Sequence, residues 1–460
     1  MRFTRKQVVV GAAAAGVLGA AGIYEAVDQL TTAPERPAAA AELGPEQHLL
    51  GGQGIVRENG AEVVVPPLHH EVVTATVEAE DLRDAQRKLE EALAGLDRRY
   101  PATPAGLGVL VAWGLPYFRR YVPAPAQTYL PRDRRAEKPA LLDAVRFPSD
   151  PADTILEQND VAVLLRSDRL DHIADAEHAL FDGTGLFRVT SIRKGFAGGG
   201  FDGGVSLPKQ MAVAAGVGGA DLIPDTAELF MGFTSTLVAN LGPEHIANLE
   251  TLGLAFVPDG YFRGGTHMHL SHIAEDLEAW YLNFAFDERV DTMFRPHLKV
   301  KPGTQTVPQG PGDVATSADV VRDYKESGTI GHSQSIQPSS RLQEDYLGED
   351  GTLYKKGTAI PQRADFNTLD NPFFWSADPK RDRMKTVPTA GVHFVVFNPT
   401  SDDFHRNRMA MDGVLPDGTK LKFEPHSRGQ GFNAVLTTTH RQNFLVPPRR
   451  HRSFPLVERL

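Results

Sequence analysis

Glu71-Val72-Val73-Thr74-Ala75-Thr76-Val77-Glu78-Ala79, followed directly by residues 81–96, decides the architecture of the first half of the chain. In the first stretch Val73, Ala75, Val77 and Ala79 alternate with their neighbours and share one face of a strand. In the second, Leu82, Ala85, Leu89, Leu93 and Leu96 recur at the helical period and form one apolar stripe. Residues 107–113 and 161–165 are short apolar runs that read as buried strands. Residues 169–180 then read as a helix and 187–192 as another strand. The order is strand-helix-strand twice over, the ferredoxin-like unit.

The second half repeats this order more loosely. Residues 229–233 and 267–273 read as strands, 274–281 as the start of a helix, 392–397 as a strand and 404–411 as a helix. Two such units side by side, with sheets packed between helices, make an α+β architecture. The expected division is 1–41 for an N-terminal leader and linker, 53–225 for the first half and 226–460 for the second. Residues 299–385 break the regular scheme. They are rich in Gly, Pro, Asp, Ser and Gln and far longer than an ordinary connection, which predicts a functional insertion or a solvated excursion.

At 460 residues the chain can fill one large domain or two moderate ones. Its hydrophobic content of 41% and charged content of 23% are those of a soluble globular protein. A net charge of −10 without a long basic run argues against a nucleic-acid partner. The absence of cysteine excludes disulfides, thiolate ligands and cysteine nucleophiles together. At the N-terminus Thr4-Arg5-Lys6-Gln7 leads into an Ala- and Gly-rich apolar run over 8–23. A basic segment before a weakly hydrophobic one reads as an export signal, and the Arg-Lys pair is similar to a relaxed twin-arginine motif. The competing reading is a single uncleaved anchor helix, the one place where membrane contact is expected.

Five further runs carry the chemistry. Gly331-His332-Ser333 is followed thirty residues on by Pro361-Gln362-Arg363-Ala364-Asp365-Phe366-Asn367. Leu229-Phe230-Met231-Gly232-Phe233 and Gly264-Gly265-Thr266 precede them, and Gly391-Val392-His393-Phe394-Val395-Val396-Phe397 comes after. In this order the runs resemble the dye-decolorizing (DyP-type) haem peroxidases, from about Gln53 to the end of the chain, and more closely a divergent branch of that superfamily. The resemblance implies duplicated ferredoxin-like domains of the dimeric α/β-barrel type, antiparallel sheets flanked by helices, with haem b in the second half.

It also implies roles. His332 matches the proximal iron ligand, and Arg363 the distal arginine that stabilises a departing hydroxide. The family's acid/base sits in a Gly-x-x-Asp-Gly motif, whose literal match here is Gly199-Gly200-Phe201-Asp202-Gly203. Aligning on Gly195-Phe196 instead puts Gly198 where the acid belongs, so Asp202 stands as either the catalytic acid/base or a turn residue. Asp402 and Asp403 are offered as partners for the proximal histidine, with capping of the helix near Phe404 the preferred role. Arg441 or Arg449 would meet a haem propionate.

The expected function is an exported peroxidase in the cell envelope or outside it, acting on hydrogen peroxide and a small or bulky aromatic donor, with homo-oligomers left open. Two alternatives stand beside it. One is a haem-binding relative without turnover. The other is a non-haem metal protein using His267, His269 and His272, of which the first two would share a strand face.

Overall fold

A computed structural model describes residues 44–460 apart from 134, 201–204, 234–253, 309–310, 349–350, 370–387 and 424–430. The N-terminal leader and Asp202 therefore lie outside the described residues. The alternation around residue 75 becomes strand β1, His69–Val77. Asp81 caps helix α1, Leu82–Arg99, its side chain accepting from the backbone N–H groups of Arg83 and Asp84. That satisfies two of the donors a helix start leaves open. Strand β2 is Gly108–Gly114, β3 is Val161–Ser167, helix α2 is Leu170–Glu177 and β4 is Phe187–Phe196. β4 pairs with β1, β1 with β3 and β3 with β2, all antiparallel. The fourth strand beside the first, with the third between first and second, is the ferredoxin-like arrangement.

The second half builds the same order from β5 (Thr266–Glu275), helix α3 (Phe286–Met293), β6 (Phe366–Thr368), β7 (Gly391–Asn398) and β8 (Leu436–Val446). Here β8 pairs with β5, β5 with β7 and β7 with β6. The halves then join twice. Phe444 and Leu445 of β8 meet Gly114 and Trp113 of β2, and Asn367 of β6 meets Phe196 of β4. At each seam the second strand of one half meets the fourth of the other, so the eight strands close on themselves and leave no open edge in the ring. The α+β fold of duplicated ferredoxin-like halves is thus the architecture of the chain, with one continuous sheet where the sequence suggests two.

Alternation sorts the strand residues. Val72, Leu110, Leu164, Met268, Val395 and Phe444 pack together inside the ring, drawn from both halves. Val73, Ala75 and Val77 point the other way and pack under Ala85, Leu89 and Leu93 of α1.

Two expectations need correction. Residues 229–233 form a turn, not a strand: the Gly232 N–H donates to the Leu229 carbonyl at 3.1 Å, and Gly232 takes φ +86°. The insertion is also more regular than its composition suggests. It carries helix α4, Ser317–Ser327, between a Thr316/Asp319 capping box and Gly328 at φ 74°, and helix α5, His332–Ser340. Helix α6, Ser401–Met411, completes the second half. Among the described residues no helix is long and apolar enough to cross a membrane.

Candidate functional site

On the outer face of the second half, β7 forms the floor of a cleft that α5 and α6 enclose. The cleft holds about 1650 Å³ of empty space, its mouth included. Val392, Phe394 and Val396 of β7 face it, while the residues between them face the ring interior. From α6 come Phe404, Asn407, Arg408 and Met411, spaced to lie on one helical face. Leu229, Met231 and Phe233 of the turn close one side. That turn is clamped from a distance. Asn367 accepts from the Phe230 N–H at 2.8 Å and donates to the carbonyls of Phe196 and Glu228, while Trp280 and Tyr281 donate to the Met231 and Phe230 carbonyls.

His332 is the first residue of α5 and lines the cleft. It follows a glycine for a steric reason: a Cβ on Gly331 would lie 2.1 Å from the Phe294 carbonyl oxygen. That same carbonyl accepts from the Gln334 N–H at 3.0 Å, docking the helix start. The imidazole packs on the Phe432 ring at 5.0 Å. Burial lowers its pKa to about 4, helped by the charges of Arg363 and Arg408, and the positive end of α5 acts in the same sense. His332 is therefore a neutral imidazole at pH 7, the form that can bind a metal. Its Nδ1 is buried and makes no hydrogen bond among the described residues.

Arg363 reaches the same cleft from a two-residue strand, Gln362–Arg363, paired with β7 so that Arg363 stands opposite Val396. Asp365, two residues on, also lines the cleft, whereas Ala364 and Phe366 point into the ring. Asp365 is half-buried, deep in the protein yet reachable from the cavity. Burial raises its pKa, and Arg363 offsets part of that rise. Glu275, at the end of β5, is a second cleft carboxyl. Burial, with the charge of Asp365 added, pushes it up to about 8. Neither Asp365 nor Glu275 is among the site residues that the sequence motifs single out. Strand alternation from Arg363 was the signal that could have found Asp365.

Arg441 lines the cleft as well, but its guanidinium is already engaged. It donates to Asp150 through Nε at 2.8 Å and Nη2 at 2.7 Å, and further to Ser271 and Thr438. A bidentate carboxylate pair of this kind balances the charge. Arg341 is a further cation on the lining. Arg449 points away from the cleft, donating to the Gly44 carbonyl and facing Asp97.

The remaining candidates fall elsewhere. Asp403 forms the capping box of α6 with Thr400 and pairs with Arg135, while Asp402 pairs with Lys138. Both serve the helix start, and neither is among the cleft residues. The histidines of β5 do not converge on a metal. His269 is bonded to Asn443 at 2.6 Å and Ser271 at 2.5 Å and stacks on Phe404. His272 lies on the other face of the strand, bonded to Thr439 and tilted against His393 at 4.9 Å. Among the described residues no group of three or more His, Cys, Asp or Glu side chains is placed to hold a metal ion.

In structure the chain is similar to a dye-decolorizing protein from V. cholerae, with a TM-score of 0.48 and 14% identity over 85% of this chain and 96% of that one. It is similar also to the encapsulated DyP-type peroxidase from Mycobacterium smegmatis, with a TM-score of 0.47 and 14% identity over 85% and 95% of the two chains. A variant of DypB from Rhodococcus jostii RHA1 in complex with heme gives a TM-score of 0.49 and 12% identity over 84% and 96%. No curated protein matches the sequence. The family described as DUF7405, a family of unknown function, matches residues 67–448, and the chain belongs to that family.

Proposed function

We propose that this protein is an exported haem-dependent peroxidase of the dye-decolorizing type, reducing hydrogen peroxide and oxidising bulky organic donors. One observation carries the reading: a single cleft gathers the neutral imidazole of His332, the guanidinium of Arg363 and the carboxyls of Asp365 and Glu275. The residues fit haem b. His332 offers the iron a neutral nitrogen, and Phe294, Phe394, Phe404, Phe432 and Met411 offer apolar walls to a flat macrocycle. Arg341 offers a cation to its propionates, whereas Arg441 is held by Asp150. When bound, the iron supplies the redox chemistry that side chains lack.

The chain's own groups supply the rest. Arg363 stabilises negative charge on the oxygen that leaves when peroxide is cleaved. Asp365, two residues away on the same face, takes the proton from one peroxide oxygen and returns it to the other. Asp202 is the rival acid/base, supported by its Gly-x-x-Asp-Gly setting. The basic-then-apolar pattern of residues 4–23 supports export by a Tat-like signal.

The second reading, a haem-binding relative without turnover, is favoured by the alignment that puts Gly198 at the acid position. Titrating the protein with haemin and then assaying peroxide-dependent oxidation of a bulky dye separates the two. Haem binding with turnover is the expected result, and haem binding without turnover at any pH would establish the second reading.

A further inference from the structure

A second chamber of about 560 Å³, its mouth included, lies beside the cleft and shares Leu229, Phe233, Arg363 and Asp365 with it. Its lining includes Arg166 of β3, which stands opposite His70 of β1 in the sheet register. Arg166 is only 5% exposed. Its Nη2 donates one long hydrogen bond, 3.4 Å, to the His48 carbonyl, and its Nε is buried without a partner among the described residues. None of the described carboxylates pairs with it, and burial alone drives its pKa down to about 10.

The contrast with the other buried arginines is sharp. Arg193 pairs with Glu157, Arg441 with Asp150 and Arg452 with Glu90, and each is as buried as Arg166. A guanidinium this deep is expensive to leave without a counter-charge. Its neighbours reinforce the imbalance. The Nδ1 atoms of His48 and His70 are buried without hydrogen-bond partners among the described residues, and burial together with the Arg166 charge keeps both rings neutral. Neutral imidazoles can donate to an anion without adding charge.

We infer that Arg166 anchors a small monovalent anion in this chamber, of the class of a halide or formate. Size and sign limit the class, because the chamber is small and also carries Glu228 and Asp365, which would repel a dianion such as phosphate. Because the two cavities share Arg363 and Asp365, the anion would sit on a path into the cleft.

The rival counter-charge is a carboxylate of the chain itself, Asp202 being close in sequence to the chamber residue Ala197. The test uses the full chain without haem, so its outcome is independent of the peroxidase reading. Melting temperature is followed as sodium bromide replaces sodium gluconate at constant ionic strength, for the parent, Arg166→Gln and Asp202→Asn. A ligand that binds only the folded state gives a saturable rise. The rise is expected in the parent and in Asp202→Asn, and not in Arg166→Gln. Crystals of the parent soaked in bromide should show an anomalous scatterer within hydrogen-bonding distance of the Arg166 guanidinium, which decides the matter even if Arg166→Gln fails to fold. A bromide response that appears only in Asp202→Asn, equal responses in parent and Arg166→Gln, or an empty chamber in the soaked crystal would overturn the proposal.

Discussion

Asp365 faces the cleft because Arg363 does, since residues two apart on an extended segment share a side. The pair sets two predictions. Asp365→Asn should lower peroxidase turnover by about 10²–10⁴-fold, the usual scale for a positioned acid/base group, while Asp202→Asn should cost far less. The reverse order of losses in steady-state assays would return the role to Asp202. Arg363→Leu should keep haem yet slow the reaction with peroxide by about 10²–10³-fold, as loss of one charge-stabilising donor does elsewhere. Stopped-flow rates equal to those of the parent would remove Arg363 from the chemistry. His332 and Arg363 were legible because each sits in a short run with a recognisable order. Glu275 was not legible, because its significance is electrostatic. Only in the fold does the end of β5 come close enough to Asp365 for one carboxyl to raise the other.

At the scale of elements, periodicity carried the reading furthest where local pattern decides structure. The alternation of β1 and the apolar stripe of α1 need no distant partner to be seen, whereas helix α4, with its caps Thr316, Asp319 and Gly328, is hidden by the loop-like composition around it. The turn at 229–233 was not legible either, because what holds it is the side chain of Asn367, 137 residues from Phe230 in sequence. Asn367 also spans the seam where β6 meets β4. Asn367→Ala should therefore destabilise the fold by about 2–4 kcal/mol, since several buried partners lose their hydrogen bonds at once. Urea denaturation measures this directly, and a change below about 0.5 kcal/mol would mean that the turn is held by its apolar contacts alone.

The whole molecule is unusual for its buried titratable groups. Burial holds His48 at about 3 and His267 and His332 at about 4, and puts His269, His272 and His393 well below the ordinary 6.5. The unfolded chain binds protons on these rings that the folded chain refuses, so their stabilisation is complete above pH 6.5 and is lost as pH falls towards 4. Glu71 and Glu275 act oppositely. Burial lifts both to about 8, so the folded chain keeps protons that the unfolded chain sheds, and stability declines as pH rises from 4.5 towards 8. The histidines outnumber the two glutamates below pH 6.5, which places maximal stability at about pH 6–7. A urea midpoint that still climbs at higher pH would contradict that balance. The closed ring itself was only half visible in sequence, since each seam joins strands from different halves. The central claim, that His332 makes this cleft a haem site, is tested most directly by the absorption spectrum of the full chain after addition of haemin. A saturating Soret band in the parent, lost or greatly weakened in His332→Ala but kept in His267→Ala and His269→Ala, is the predicted result. No Soret band in the parent, or an unchanged one in His332→Ala, would contradict it.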